Sequence, residues 1–194
     1  SEEPGGSARQ CLTDKYEKDL SDQYDNDQLR RSAFMIGLGL DLTHLPAYAI
    51  DDEDNEDPDD AISLDGQRLW VHIADAAALA PADSPLDLVA RERGANLYLP
   101  EKLIPMFPHS LTETLGLGLN ATSPALSVGF EIDGNGRLQN SQIALTTVRV
   151  TRMTYAAAST ELESRFAAIA AMLQRFRERR MQAGAAGIDL PEVS

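Results

Sequence analysis

Eight acidic side chains crowd into ten consecutive positions: Asp51, Asp52, Glu53, Asp54, Glu56, Asp57, Asp59 and Asp60. The run passes straight into the apolar stretch Ala61-Ile62-Ser63-Leu64, with no turn residue between them. Two carboxylates about 4 Å apart repel by roughly 1 kcal/mol even in water, and by more near a protein surface. A chain that drives such a run into a strand must either leave it in solvent or place something positive among the carboxylates. A solvated acidic loop answers the first need, and a hard divalent cation held by oxygen ligands answers the second. The direct entry into a strand favours the cation. A calcium loop of the EF-hand type is excluded by spacing. Asp51, Glu53 and Asn55 alternate correctly, but Glu56 stands where that loop needs glycine and Ile62 where it needs a bidentate glutamate. Magnesium suits the run better, because it keeps several waters, uses few carboxylates and shares its remaining positions with phosphate.

The acids also dominate the overall charge, which is −14 from 31 acidic and 17 basic residues. Taken over the whole chain, this argues against nucleic acid, since phosphate binding asks for a basic surface. The average misleads here, because the acids are concentrated at one place while Arg175, Arg177, Arg179 and Arg180 gather near the other end. These arginines read as the wet face of a helix, with phosphate contact as a secondary role. No uncharged apolar stretch approaches the length of about 18 residues that a membrane span requires, so no membrane role is expected. A single cysteine, Cys11, cannot form an internal disulfide and points to a reducing, cytoplasmic setting.

Residues 1–39 read as a polar lead segment or linker, with structure gathering around Phe34, Met35, Ile36 and Leu38. After the acidic run, Ala61 to Leu64 and Arg68 to Ala74 form a hairpin around Asp65-Gly66, a pair suited to the positive φ angles of a two-residue turn. Leu69 to Ala74 is nearly all apolar, as in a strand covered on both faces. His72 within it reads as a hydrogen-bonded core residue rather than a base, and Asp75 as an orienter of local backbone. Ser84 and Pro85 open a helix with Leu86, Val89 and Ala90 as its buried stripe. Leu126, Val128, Phe130 and Ile132 alternate with small or polar residues as in a strand, which turns at Asp133-Gly134-Asn135-Gly136 and returns through Ile143 and Leu145 to Val148 and Val150. Leu162, Phe166, Ile169, Leu173 and Phe176 mark one face of an amphipathic helix, with Thr160 and Glu163 at capping-box spacing. Strands and helices are therefore mixed, in an α+β or irregular α/β class.

The segments around the acidic run have a specific likeness. Tyr48-Ala49-Ile50-Asp51, Glu56-Asp57-Pro58-Asp59-Asp60-Ala61, Val71-His72-Ile73-Ala74-Asp75, Tyr98-Leu99-Pro100 and Ile104-Pro105-Met106-Phe107-Pro108 follow one another in the order and spacing of the catalytic domain of ribonuclease II and ribonuclease R. Leu86-Asp87 through Arg93 and the late passage to Ile188-Asp189-Leu190-Pro191-Glu192 extend the resemblance over roughly residues 40–192. It implies an α+β fold of the RNB type, a mixed β-sheet with flanking helices, of which residues 40–194 are the N-terminal part. The remainder of the catalytic domain would follow Ser194, and it would be a partner of this piece.

The resemblance also implies a function: processive 3′-to-5′ hydrolysis of single-stranded RNA to nucleoside 5′-monophosphates, dependent on Mg2+ with Mn2+ as a substitute. Asp51, Asp57, Asp59 and Asp60 would hold the metal, and Asp59 would be the one most tied to the chemistry. Tyr98 would pack against the terminal nucleotides, since an aromatic face stacks on any base; its alternative is a strand tyrosine filling the core. A catalytically inactive RNA-binding or regulatory relative is the competing function. Four retained, mutually repelling aspartates count against it.

Overall fold

The computed structural model describes residues 39–53, 55–99 and 102–187, and only the backbone of Tyr98, Lys102 and Leu103. The apolar cluster expected at Phe34 to Leu38 lies outside these residues. The described chain runs β1 (Leu40–Asp41), β2 (Ala47–Asp51), β3 (Asp60–Asp65), β4 (Arg68–Ala74), α1 (Ala76–Leu79), α2 (Pro85–Arg93), β5 (Leu97–Leu99), β6 (Lys102–Ile104), α3 (His109–Leu115), β7 (Ser123–Ile132), β8 (Leu138–Val148), β9 (Val150–Thr154), α4 (Tyr155–Thr160) and α5 (Ala167–Gln182). None of its helices is long and apolar enough to cross a membrane.

Seven strands form one mixed sheet in the order β1-β8-β7-β4-β3-β2-β9, and β5 and β6 form a separate two-stranded ribbon. Only Arg149 separates β8 from β9, yet β8 pairs with β1 and β7 while β9 pairs with β2 at the opposite edge. A strand run can serve both edges only if the sheet curls round on itself. The curl explains why both faces of β7 carry burial. Ser123, Ala125 and Ser127 are buried on the inner face, while on the apolar outer face Leu126 is exposed and Ile132 is buried. Inside the tightly curled sheet the strands offer small residues, Ala47, Ala49, Ala61 and Ser63, beside the large Trp70 and His72. Trp70 lies against Gly129, its cross-strand partner, where any β-carbon would collide with the indole ring.

The first hairpin forms one residue later than expected. Asp65 pairs with Arg68, so the two-residue turn is Gly66-Gln67 rather than Asp65-Gly66. Gly66 has φ +60° and Gln67 does not share the positive sign, the pattern of a turn with glycine at its first central position. The helix after Ser84 forms as expected, with the Ser84 hydroxyl accepting from the Asp87 N–H at 3.2 Å. The last helix does not. Thr160 ends α4 and donates its hydroxyl to the Ala157 carbonyl, so the capping box never forms, and α5 starts only at Ala167. Its buried stripe is Phe166, Ile169 and Met172, with Leu162 and Leu173 exposed. This stripe covers the outer face of the sheet, against Leu69 and Ile132. Asp75 precedes α1 without any side-chain capping bond.

Candidate active site

The acidic run connects β2 to β3, and three hydrogen bonds to its carbonyls, two from backbone and one from a side chain, fix its path. The Leu117 N–H donates to the Pro58 carbonyl at 2.8 Å, the Ala74 N–H donates to the Asp59 carbonyl at 2.8 Å, and Arg152 donates to the Asn55 carbonyl. Pro58 is fully buried, so the loop is pinned at its centre while its described acids remain at least partly in solvent. The Asp59 contact extends the β3–β4 ladder past its last paired residues. The carboxylates at the strand entry are thus carried by the sheet itself and not by a free loop.

The four aspartates singled out in the sequence fall into a chain rather than a ring. Asp51 ends β2, and its Oδ2 is buried without a hydrogen-bond partner. Asp60 opens β3, and its carboxyl is pushed above the usual range by burial first, then by the charges of Asp59 and Asp51. Asp57 sits on the other side. Its Oδ2 accepts from the Asn96 side chain at 2.9 Å, and its own N–H donates to Asn55 Oδ1 at 2.8 Å. Asp57 and Asp59 both line a cavity of about 330 Å³ whose other walls include Ile73, Ala74, Met106, Phe107 and Leu111. Asp59 therefore links the two halves, facing the cavity while acting electrostatically on Asp60.

Asn96 is a site residue that the sequence reading passed over. It joins the acidic loop to the segment after β6, donating to Asp57 and accepting from the Met106 N–H at 2.6 Å. No local signal marks it, since an asparagine between Ala95 and Leu97 has the look of an ordinary turn residue. Tyr98 lies two positions further on, in β5, with its backbone opposite Leu103. Its side chain lies outside the described residues.

Among the described residues no three His, Cys, Asp or Glu side chains form a ready cluster for a metal ion. The donor set still suits a hard divalent cation: all its atoms are oxygen, one of them is buried and unpartnered, and the Asp60 carboxyl is held above its usual range by burial and then by the charges of Asp59 and Asp51. A cation that retains water and takes part of its shell from phosphate does not need a closed protein cage. His72 is not part of this site. It is fully buried inside the sheet, between the hydroxyls of Ser63 at 2.9 Å and Ser127 at 2.7 Å, as its apolar strand led us to expect.

With the geometry in place, comparison with known proteins is informative. The family model described as "RNB domain" matches residues 40–193. Ribonuclease II, chloroplastic/mitochondrial, of Arabidopsis thaliana is 34% identical over 157 residues, covering 77% of this chain and 19% of that protein. The chain thus spans about a fifth of the length of that relative. Mycoplasma genitalium RNase R, solved in complex with ribose methylated single-stranded RNA, superposes with a TM-score of 0.73 at 20% identity, over 92% of this chain and 30% of that one. Yeast Ssd1, described as a pseudonuclease, superposes with a TM-score of 0.68 at 20% identity, over 84% of this chain and 22% of that one. At these identities the two structures establish a shared fold.

Proposed function

The chain belongs to the RNB-domain family, and we propose that it contributes the acidic half of the active site of a 3′-to-5′ exoribonuclease acting on single-stranded RNA. The observation that carries this reading is the arrangement of Asp51, Asp59 and Asp60: Asp60 lies close enough to feel the charges of the other two, one Asp51 oxygen is orphaned, and Asp59 lines a largely apolar cavity. Such a corner is unfavourable by itself and becomes favourable with a divalent cation and a phosphate beside it. Ssd1 shares the fold and is described as a pseudonuclease, so the fold alone does not carry the chemistry. The carboxylates do.

In this reading Asp51, Asp57, Asp59 and Asp60 hold Mg2+, or Mn2+ in its place. When bound, the cation supplies Lewis-acid charge at the scissile phosphate. Asp59, which faces the cavity, orients the attacking water. Asn96 holds Asp57 in position, and the cavity walls at Ile73 and Phe107 limit bulk water around the terminal nucleotide. Tyr98 stacks on a terminal base. Water attacks phosphorus, the bond from phosphorus to the 3′ oxygen breaks, and that oxygen takes a proton. The shortened RNA keeps a 3′ hydroxyl and the released nucleotide keeps its 5′ phosphate. Successive rounds without release of the RNA make the reaction processive.

The test uses the intact protein and a 5′-labelled single-stranded RNA, with magnesium, manganese, calcium or chelator. Magnesium and manganese should yield stepwise shortening and nucleoside 5′-monophosphates, whereas calcium should not, because in-line displacement wants a tightly held octahedral ion. Full turnover after exhaustive chelation would remove the metal from the mechanism. Tight RNA binding without turnover in magnesium would place the chain with inactive relatives.

A further inference from the structure

A second charged region lies at the opposite end of the sheet and has no part in the chemistry above. The β7–β8 turn folds back onto α5, and Gly136 makes the approach possible. Its φ is +72°, and a β-carbon there would stand 2.3 Å from the Arg175 carbonyl oxygen. Between turn and helix opens a cleft of about 470 Å³ lined by Asn135, Arg137, Arg175, Glu178 and Arg179 among others. Three guanidinium groups thus face one hollow in a chain of net charge −14.

These arginines are not consumed by neighbouring acids. Among the described residues none of the three has a carboxylate within salt-bridge distance, whereas Arg68, Arg91 and Arg165 do. Arg175 Nε is buried without an acceptor. Asp133, the acid nearest Arg137 in the turn, is occupied locally: its carboxylate accepts from the N–H groups of Asn135 and Arg137 and from the Gln139 amide. Glu178 is the single acid lining the cleft, and it accepts from Gln174, its neighbour on α5. Three cations around one cleft with no carboxylate pairing them repel one another, and an oxyanion among them offsets that repulsion. Planar guanidinium forks match the oxygens of phosphate in particular.

The geometry points to a phosphate-binding subsite in this cleft, distinct from the acidic corner. β4 runs from Arg68, near the β7–β8 turn, to Ala74, beside Asp59. At ~3.3 Å per residue this separates the two regions by roughly 20 Å. A phosphate held there cannot be the one undergoing hydrolysis. It belongs either to the backbone of an RNA strand lying further along the surface or to a free phosphate-bearing ligand, and the two sources give different results below. The cleft itself does not depend on the hydrolase reading, since inorganic phosphate alone can reveal it.

The experiment uses the intact protein and the double substitution Arg137→Gln with Arg179→Gln, which removes two of the three lining arginines, together with Glu178→Gln. Inorganic phosphate should raise the melting temperature of the wild type more than that of the double variant, with chloride of equal ionic strength as control. Glu178→Gln, which removes the one lining acid, should strengthen the response. If RNA is the source, a long single strand should lose affinity for the double variant, and its log K against log salt should flatten by about 0.7 for each lost phosphate contact. A short oligonucleotide that fills only the acidic corner should bind as before. If free phosphate is the source, the melting response should change and RNA binding should not. Equal phosphate responses in wild type, double variant and Glu178→Gln would overturn the subsite.

Discussion

The His72 network inside the curled sheet and the acidic corner both place polar side chains where apolar ones would pack more cheaply, but they resolve the problem in opposite ways. Inside the sheet the hydrogens can be followed in one direction. Thr146 donates to the Ala125 carbonyl at 3.2 Å, so the 2.6 Å contact from Ser127 must carry the Ser127 hydrogen. Ser127 then accepts from His72 Nδ1, and His72 Nε2 accepts from Ser63. Each hydrogen is used once, which fixes a neutral imidazole with its proton on Nδ1. At the acidic corner, two strands away at most, Asp51 keeps an orphaned oxygen, and Asp60 resists ionisation because of its burial first and then the nearby charges of Asp59 and Asp51. The His72 network spends its hydrogens within the fold, although Trp70 Nε1 in the same interior has no partner, whereas the acidic corner sets charge beside charge, a balance that an added cation would change.

The sharpest way to break this contrast is to remove one charge from the corner. Asp59→Asn keeps the size of the side chain and should leave the fold intact. Hydrolysis should fall by about a thousandfold, equivalent to ~4 kcal/mol of barrier. RNA affinity should stay near wild type, because the lost interaction acts on the reaction more than on ground-state binding. Single-turnover rates and filter binding measure the two separately. Normal turnover, or a joint loss of binding and melting temperature, would show that Asp59 belongs with the structural polar groups.

The interior should respond to acid instead. Burial pushes His72 down from 6.5 to about 4, so between those values the unfolded chain takes up a proton that the folded chain refuses. Stability is therefore full above pH 6.5, declines as pH falls, and reaches its full loss below about 4, amounting to about 3 kcal/mol. Protonation would also set a second N–H against the Ser63 hydroxyl, whose hydrogen would have to turn away. His72→Phe should abolish this slope while lowering stability at neutral pH, because Ser63 and Ser127 each lose a buried partner. Urea unfolding across that range reads both effects. An acid slope that survives in His72→Phe would assign it to another group.

How much of this contrast could be read from the residue order alone differs between its two sides. The acidic run is local, so its charge density, its entry into a strand and its misfit to a calcium loop were all visible. His72 was also recognised as a core residue from its apolar neighbours. The burial of the small-residue face of β7 was not, because alternation shows that two faces differ and not which one turns inward; that depends on β8 and β9 reaching both edges of the sheet. The partner of Asp57 was equally hidden. Asn96 is 39 positions away, and only the return of the chain after α2 brings its amide to the carboxylate. The start of α5 was misplaced for a related reason: the apolar spacing from Leu162 continues the helical period, but Glu161 to Phe166 form turns before the helix begins.

The smallest expected effect concerns Tyr98, whose backbone sits two residues beyond Asn96 in β5. If the corner is built for a terminal phosphate, a base must lie close by, and a ring on this ribbon can hold it without reading sequence. Removing the ring in Tyr98→Ala deletes a stacking interaction of roughly 1–3 kcal/mol. A long RNA has other contacts to compensate, so its degradation should continue at a useful rate. A short end fragment has none, and digestion should stop at a longer final product. Tyr98→Phe keeps the stacking face and should leave that length unchanged, which separates stacking from any role of the hydroxyl. Gel analysis of a labelled single strand reads the final length for both variants. An alanine variant with an unchanged end product and only a lower melting temperature would move Tyr98 from the side of the molecule left open for a ligand to the side that packs.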